Sequence, residues 1–564
     1  MPTRQEPVPA SPGSGPLEKS FYRCLLVAAL YILLTLPFLG RPALFDPDEG
    51  YYPETAREMM KRDNWLDPVF NGEPRWGKPV GFYLADCVSF RLFGFSEWSA
   101  RLPSLLAGLG LVLVSMALGV RLYGSRVGLY SGVIAATALQ PVVYSRAAVP
   151  DMLLSFFVAL ALYGFVLGAM DRNGSRGARA GFFLAYAGSA LAFLAKGPLG
   201  VLLPGITAAG YLVLSGNHGR ILKLKPGQGI LLFFLLAAPW FIYMTALHGT
   251  VFLEEIFLQR NLIRYFTNKW QHPGPFYYYL PIVFAGAFPW SIALLWGLAL
   301  SLRQSAAHWR KAGKTAAQNP DLFILCWFFG MLVFFSLSRS KLSNYVLPLY
   351  PAAALFASLC LDQVERSGSR LRFLLLAGGT ALLAALLFAP GSFILADKLK
   401  VASSTIITGF SPLALIVLGI LTFPFQKSLK LWLGSCCAGM ALLVTLLTGF
   451  VIPRIDSFQA VKTLSLEHLN SLRRDERVAV IGVRHPSLLF YTGRLIFPFD
   501  PKTDRWEDAR ANGIRWVLTR ESALGELKEK TGVQPAEVYR MGGRALVRFA
   551  EKEENGGGER AISY

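Results

Sequence analysis

The chain has 564 residues, 53% of them hydrophobic and only 16% charged, with a mean hydropathy of +0.41. Those values exclude an ordinary soluble domain, and recurring apolar runs of about 18 residues or more read as a polytopic α-helical membrane protein. The formal net charge of +20 fits Lys and Arg held in cytoplasmic loops better than a nucleic-acid-binding surface.

Residues 1–20 are rich in Pro, Ser and Gly and read as a disordered cytoplasmic N-terminus. The first apolar run, 21–40, has no small-residue cleavage motif and reads as an uncleaved span. A long break, 41–101, follows. It opens on Phe45-Asp46-Pro47-Asp48-Glu49-Gly50, with Glu54, Arg57 and Glu58 behind. Charge beside a membrane span is costly, so these acids are functional candidates. Further spans are expected near 102–120, 127–144, 152–170, 181–195, 198–215, 230–247, 276–302, 321–338, 344–362, 373–395, 406–425 and 431–452. With the first, that makes about 13 within a membrane domain covering 21–452.

The breaks alternate in charge. One set is basic and includes Arg121 with Arg126, Arg176 with Arg179, Arg366 with Arg370, and Lys427 with Lys430. Basic loops stay in the cytoplasm, which puts the N-terminus inside and the C-terminus outside. The short apolar stretch 79–94 contains Asp86 and Arg91. If it spanned, every later basic loop would be inverted, so it reads as an amphipathic helix on the outer interface. Residues 453–550 then form a periplasmic soluble α/β domain, with strands at 478–483, 514–519 and 544–549 and a helix at 521–530. Residues 551–564 read as a disordered tail. The six cysteines show neither metal-site nor disulfide spacing and fit core positions.

The outer breaks collect Asp48, Glu49, Lys78, Asp151, Lys196, Arg264, His272, Arg339, Lys341 and Tyr345. Each has a plainer use on its own. Asp48 could cap a helix, Lys196 could snorkel to the interface, His272 could be structural, and Arg339 and Lys341 could be loop charges. Gathered on one face they suit a lipid-phosphate substrate. Lys and Arg bind phosphate, and a carboxylate can act as general base on an acceptor. The cations can also stabilise a leaving polyprenyl phosphate.

Several motifs recur in order: Pro47-Asp48-Glu49, Glu54-Thr-Ala-Arg-Glu-Met59, Asn64-Trp65, Asn71-Gly72, Lys78-Pro79, Lys196-Gly197-Pro198, Gln271-His272, Pro275-Phe-Tyr-Tyr-Tyr279, Pro289-Trp290 and Lys341-Leu342 with Tyr345. This series resembles the lipid A aminoarabinose transferases, within the protein mannosyltransferase-like group of GT-C glycosyltransferases. The resemblance implies a GT-C membrane fold in the bacterial inner membrane, a polyprenyl (undecaprenyl) phosphate sugar donor, an inverting transfer and a periplasmic active site. It implies that Asp48, with Glu49 beside it, is catalytic. Lys78, Lys196 and Tyr345 match donor-phosphate positions, which Arg339 and Lys341 would extend, while Asp151 and Arg264 would support the acceptor side. His272 matches a metal-binding histidine.

Two positions depart from the family pattern. Gly77 stands where the family has a glutamate ligand, and Tyr51 where it has an arginine. A divalent metal therefore stays an open expectation, and no organic cofactor is expected. The expected acceptor is lipid A or another envelope glycolipid, and the expected state is a monomer among membrane lipids with no nucleic-acid partner. The alternatives are a protein O-mannosyltransferase-like enzyme with a polypeptide acceptor, a lipid-linked sugar transporter, and a non-catalytic assembly partner.

Overall fold

The computed structural model describes residues 16–169, 176–216, 225–267, 272–312, 319–399, 428–469, 472, 476–481, 485–499, 508, 513–531, 534–549 and 560–563. The expected span at 406–425 and Gln271 lie outside the described residues. The chain runs from α1 (Pro16–Thr35) into a long connection holding α2 (Asp48–Lys61), the hairpin β1 (Val69–Phe70) and β2 (Glu73–Pro74), and α3 (Gly81–Phe93). The bundle continues with α4 (Glu97–Tyr123), α5 (Ser125–Thr137), α6 (Leu139–Ser145), α7 (Asp151–Ala169), α8 (Arg176–Lys196), α9 (Leu199–Leu214) and α10 (Pro226–His248). Next come α11 (Thr250–Leu253), a π-helical segment (Glu254–Ile263), α12 (Arg264–Phe266), α13 (Tyr279–Gly286), α14 (Ser291–Ala312), α15 (Pro320–Leu337) and α16 (Tyr350–Ser367).

Among the described residues, seven helices are long and apolar enough to cross a membrane, or nine if each of two bent pairs counts as one span. The expected single span 276–302 is one of those pairs. Its halves meet at 115°, at the cis Phe288–Pro289 bond, so it does not cross as one rod. The other pair, α5 with α6, bends by 59°.

Local chemistry sets the helix ends. Ser96 caps α4 by accepting from Ser99 N, and the Ser99 hydroxyl accepts from Ser96 N in return. At 27 residues, α4 is roughly 40 Å long, enough to cross a hydrocarbon core of about 30 Å. Close crossing of α7 and α8 depends on small residues: a Cβ on Gly164 would sit 2.5 Å from Ala185 N. By contrast α3, at 13 residues, is too short to span, consistent with the interfacial reading.

The C-terminal region carries a six-stranded sheet in the order β4-β3-β5-β7-β6-β8, with β3 (Arg477–Val480), β4 (Ile496–Pro498), β5 (Ile514–Arg520), β6 (Pro535–Met541), β7 (Arg544–Phe549) and β8 (Arg560–Ser563). The strands β4, β6 and β8 were not anticipated, because each is short or interrupted by charge. The tail 551–564 was expected to be disordered, yet its Arg560–Ser563 stretch pairs in parallel with β6. The expected helix 521–530 starts later, at Leu524, after a single 3-10 turn.

Each end of the bundle holds a cationic cavity. Arg23, Arg126, Arg366 and Lys430 surround one cavity, while Lys78, Lys196, Arg260 and Arg264 surround another. The helix α4 connects the ends: Arg101, in its second turn, contacts Glu49, and Tyr123 at its far end lines the first cavity.

Candidate active site

The neighbours Asp48 and Glu49 occupy the first turn of α2 and point into different chemistry. Glu49 is buried, with Arg101 Nε 2.9 Å from one of its oxygens and Arg101 Nη2 2.7 Å from the other. It also accepts from Ala148 N at 2.7 Å and Phe45 N at 2.9 Å. Arg101 in turn donates to the carbonyls of Leu39, Pro42 and Ala43. The expectation of Glu49 as a catalytic group is therefore corrected: both of its oxygens are occupied in tying α2 to α4 and to the chain before α7.

Asp48 is different. The N-cap of α2 is Pro47, with no side-chain cap, so Asp48 is not spent as a cap. Among the described residues its carboxylate has no hydrogen-bond partner, and it is open to solvent. Desolvation by the surrounding walls still raises its pKa above the usual aspartate value. Asp151 adds to the rise, while Lys196, Arg264 and Arg75 oppose it. Those influences put Asp48 within electrostatic reach of Lys196 and Arg264.

The cations line a cleft of about 820 Å³. Lys78, Lys196, Arg260, Arg264 and Tyr345 form its polar end, and Leu199, Leu202, Phe257, Phe266 and Phe334 its apolar wall. Lys196 ends α8, where Gly197 turns the chain at φ 78°. Its ammonium lies 2.5 Å from Asp151 Oδ1, at the start of α7, and 5.2 Å from the Tyr345 ring centroid. Lys78 is half-buried. Burial pushes its pKa well below the usual lysine range, Lys196 and Arg264 push the same way, and Asp151 opposes them. An anion in the cleft would reverse that penalty.

Arg264 and Asp151 thus sit with Lys78, Lys196 and Tyr345, and the remaining candidates do not join them. Arg339 is exposed and does not line the cleft. Lys341 is buried and donates to the carbonyls of Ser336 and Ser338 at the end of α15. His272 is exposed, and its carbonyl accepts from Lys341 N. Among the described residues, no group of three His, Cys, Asp or Glu side chains could hold a metal ion. A zinc site draws on three or more protein ligands, which the described residues do not supply, and no step is assigned to a metal.

Sequence reasoning missed the anchoring of this loop. Asp46 accepts from Ser487 N at 2.9 Å and from the Ser487 hydroxyl, and it meets His485 Nδ1 at 2.9 Å. Arg57 donates to Leu489 O at 2.7 Å while paired with Glu54. Asn71 and Ile496 exchange two hydrogen bonds, and the Glu58 carboxylate accepts from Asn71 N and Gly72 N at the hairpin tip. Tyr51, the departure from the family pattern, lies under the Arg75 guanidinium at 3.9 Å. An Asp-Pro-Asp run does not signal the contacts to His485, Ser487, Leu489 and Ile496, because those partners lie more than 400 residues away.

A family model described as dolichyl-phosphate-mannose-protein mannosyltransferase matches residues 74–243. An undecaprenyl phosphate-alpha-4-amino-4-deoxy-L-arabinose arabinosyl transferase from Enterobacter sp. (strain 638) is 28% identical over 451 residues, covering 78% of this chain and 77% of that protein. The chain is a glycosyltransferase that resembles the aminoarabinose transferases. A second relative of this glycosyltransferase, an uncharacterized protein from Aquifex aeolicus, is 27% identical, covering 84% of this chain and 87% of its own. In fold, the glycosyltransferase matches the crystal structure of ArnT from Cupriavidus metallidurans bound to undecaprenyl phosphate. The TM-score is 0.77 at 22% identity, over 94% of this chain and 99% of that one. It is a multi-pass bacterial inner-membrane protein.

Proposed function

We propose that this glycosyltransferase moves a sugar from a polyprenyl-phosphate donor to an acceptor in the outer leaflet of the inner membrane, with Asp48 at the point of transfer. One observation carries the reading: an unpaired carboxylate lies within electrostatic reach of the cations at one end of a cleft whose other wall is apolar. The cleft offers a polyprenyl phosphate both of its requirements, charge for the phosphate and a greasy surface for the chain. Lys78, Lys196 and Arg264 hold the phosphate and offset the charge that grows on it as the glycosidic bond breaks. Tyr345 stacks against Lys196 and closes that end. Asp151 pairs with Lys196 and holds it in place. Asp48 takes up the proton of the attacking acceptor group. The structure of the relative from Cupriavidus metallidurans with undecaprenyl phosphate supports the same donor chemistry here.

The alternation of basic and acidic breaks supports a periplasmic position for the Asp48 end. The relatives' aminoarabinose chemistry supports lipid A or a related envelope glycolipid as acceptor. The family description over 74–243 favours one second reading, a polypeptide acceptor. Mass spectrometry of envelope glycolipids and envelope proteins, from cells with and without the gene, separates them. The proposal expects one glycolipid to lose the mass of a single sugar when the protein is absent. Unchanged glycolipids, with a sugar lost from a protein instead, would overturn the glycolipid acceptor.

A further inference from the structure

We propose that the cavity at the end of the bundle opposite Asp48 is a binding site for an acidic glycerophospholipid of that leaflet. The cavity measures about 790 Å³ and is enclosed by α1, the α4–α5 junction, α16 and the helix Leu429–Leu446. From Arg101 to Tyr123 along α4 is 22 residues, roughly 33 Å at 1.5 Å per residue. The site is thus separated from the donor cleft by most of the bilayer thickness, and the two share no lining residue.

Its floor is apolar, built from Leu30, Leu129, Val133 and Leu433, and its rim carries Arg23, Arg126, Arg366 and Lys430. Two of those cations are already offset. Arg126 lies 3.7 Å from Asp362 and 3.5 Å from Glu365, and Arg366 lies 2.8 Å from Asp362. Tyr130 donates to Glu365 at 2.6 Å. Arg23 and Lys430 have no ion pair among the described residues. Counting four cations against Asp362 and Glu365 leaves a local charge of +2 facing an apolar trough.

A phosphodiester bearing a net negative charge meets both demands. Its phosphate sits between Arg23 and Lys430, and an acyl chain lies along the floor. A zwitterionic headgroup would bring an ammonium to the same two cations. Among the described residues the trough is open where the chain would lie: a Cβ on Gly434 would meet none of their atoms within 4 Å. Arg126, Arg366 and Lys430 belong to the basic breaks that suggest the topology, and here they converge with Arg23 of α1 on one concave surface.

Native mass spectrometry of the full-length protein in mild detergent tests this. Phosphatidylglycerol and phosphatidylethanolamine with identical acyl chains would be titrated separately. The unmodified protein should prefer phosphatidylglycerol on the order of tenfold. The Arg23→Gln/Lys430→Gln double variant should lose that preference. Gly434→Leu, which fills the trough without touching a cation, should lose the phosphatidylglycerol adduct. Undecaprenyl phosphate adducts, formed at the other end, should be retained by both variants and show that they are folded. Equal binding of the two lipids by the unmodified protein would overturn the site, as would an unchanged preference in the double variant or an adduct that survives Gly434→Leu.

Discussion

At the scale of residues, two adjacent carboxylates have opposite fates because their surroundings differ. Glu49 is saturated by Arg101 and two backbone amides, whereas Asp48 has only long-range charge around it. Glu49→Gln should therefore act on stability. Removing one partner of a buried pair leaves the other charge uncompensated, at a cost on the order of 3 kcal/mol, read as a lower melting temperature in detergent. The pH profile of transfer should be narrow. Asp48 must be ionised to take a proton, and its pKa is raised, so activity should fall on acidification before the ordinary aspartate range is reached. Lys78 must be charged to hold phosphate, and its pKa is depressed, so the alkaline limb should fall below the ordinary lysine range. Lys78→Arg, which stays charged, should shift only the alkaline limb upward. Asp48, Lys78 and Lys196 were legible in the sequence because charge in such breaks is costly and therefore informative. Glu49 was misread because spacing alone does not reveal that Arg101, 52 residues on, points back at it.

At the scale of elements, α2 is held from two sides, by the membrane bundle through Glu49 and by the C-terminal region through Asp46 and Arg57. The approach is close: a Cβ on Gly50 would fall 2.3 Å from Ser487 N and 2.8 Å from Pro486 C. Because those are backbone atoms, Gly50→Ala should push the two elements apart. The expected cost is roughly 1–3 kcal/mol, with faster protease cleavage between 470 and 500 and slower transfer. Undiminished protease resistance would show that the contact does not constrain the loop. Long apolar helices such as α4, α7 and α10 were readable from composition and length. The bend between α13 and α14 was not, since 276–302 is apolar throughout and only the Pro289 geometry divides it. The strands β4, β6 and β8 escaped for a related reason: their partners, not their own patterns, make them strands.

At the scale of the whole molecule, both ends of the bundle carry a cationic cavity. Arg23, Arg126, Arg366 and Lys430 share one, and Lys78, Lys196 and Arg264 share the other. An introduced cysteine at exposed Glu73 should react with a membrane-impermeant maleimide in intact spheroplasts, while one at Lys430 should react only after lysis. The reverse pattern would invert the proposed orientation. The central claim is that Asp48 performs the transfer while the cationic cleft holds the donor. The most direct measurement is the Asp48→Asn variant in membrane vesicles supplied with polyprenyl-phosphate sugar, scored for both sugar transfer and undecaprenyl phosphate binding. Transfer should fall by at least about 100-fold, the scale of a lost general base, with binding and protein abundance unchanged. Near-normal transfer by that variant would contradict the account.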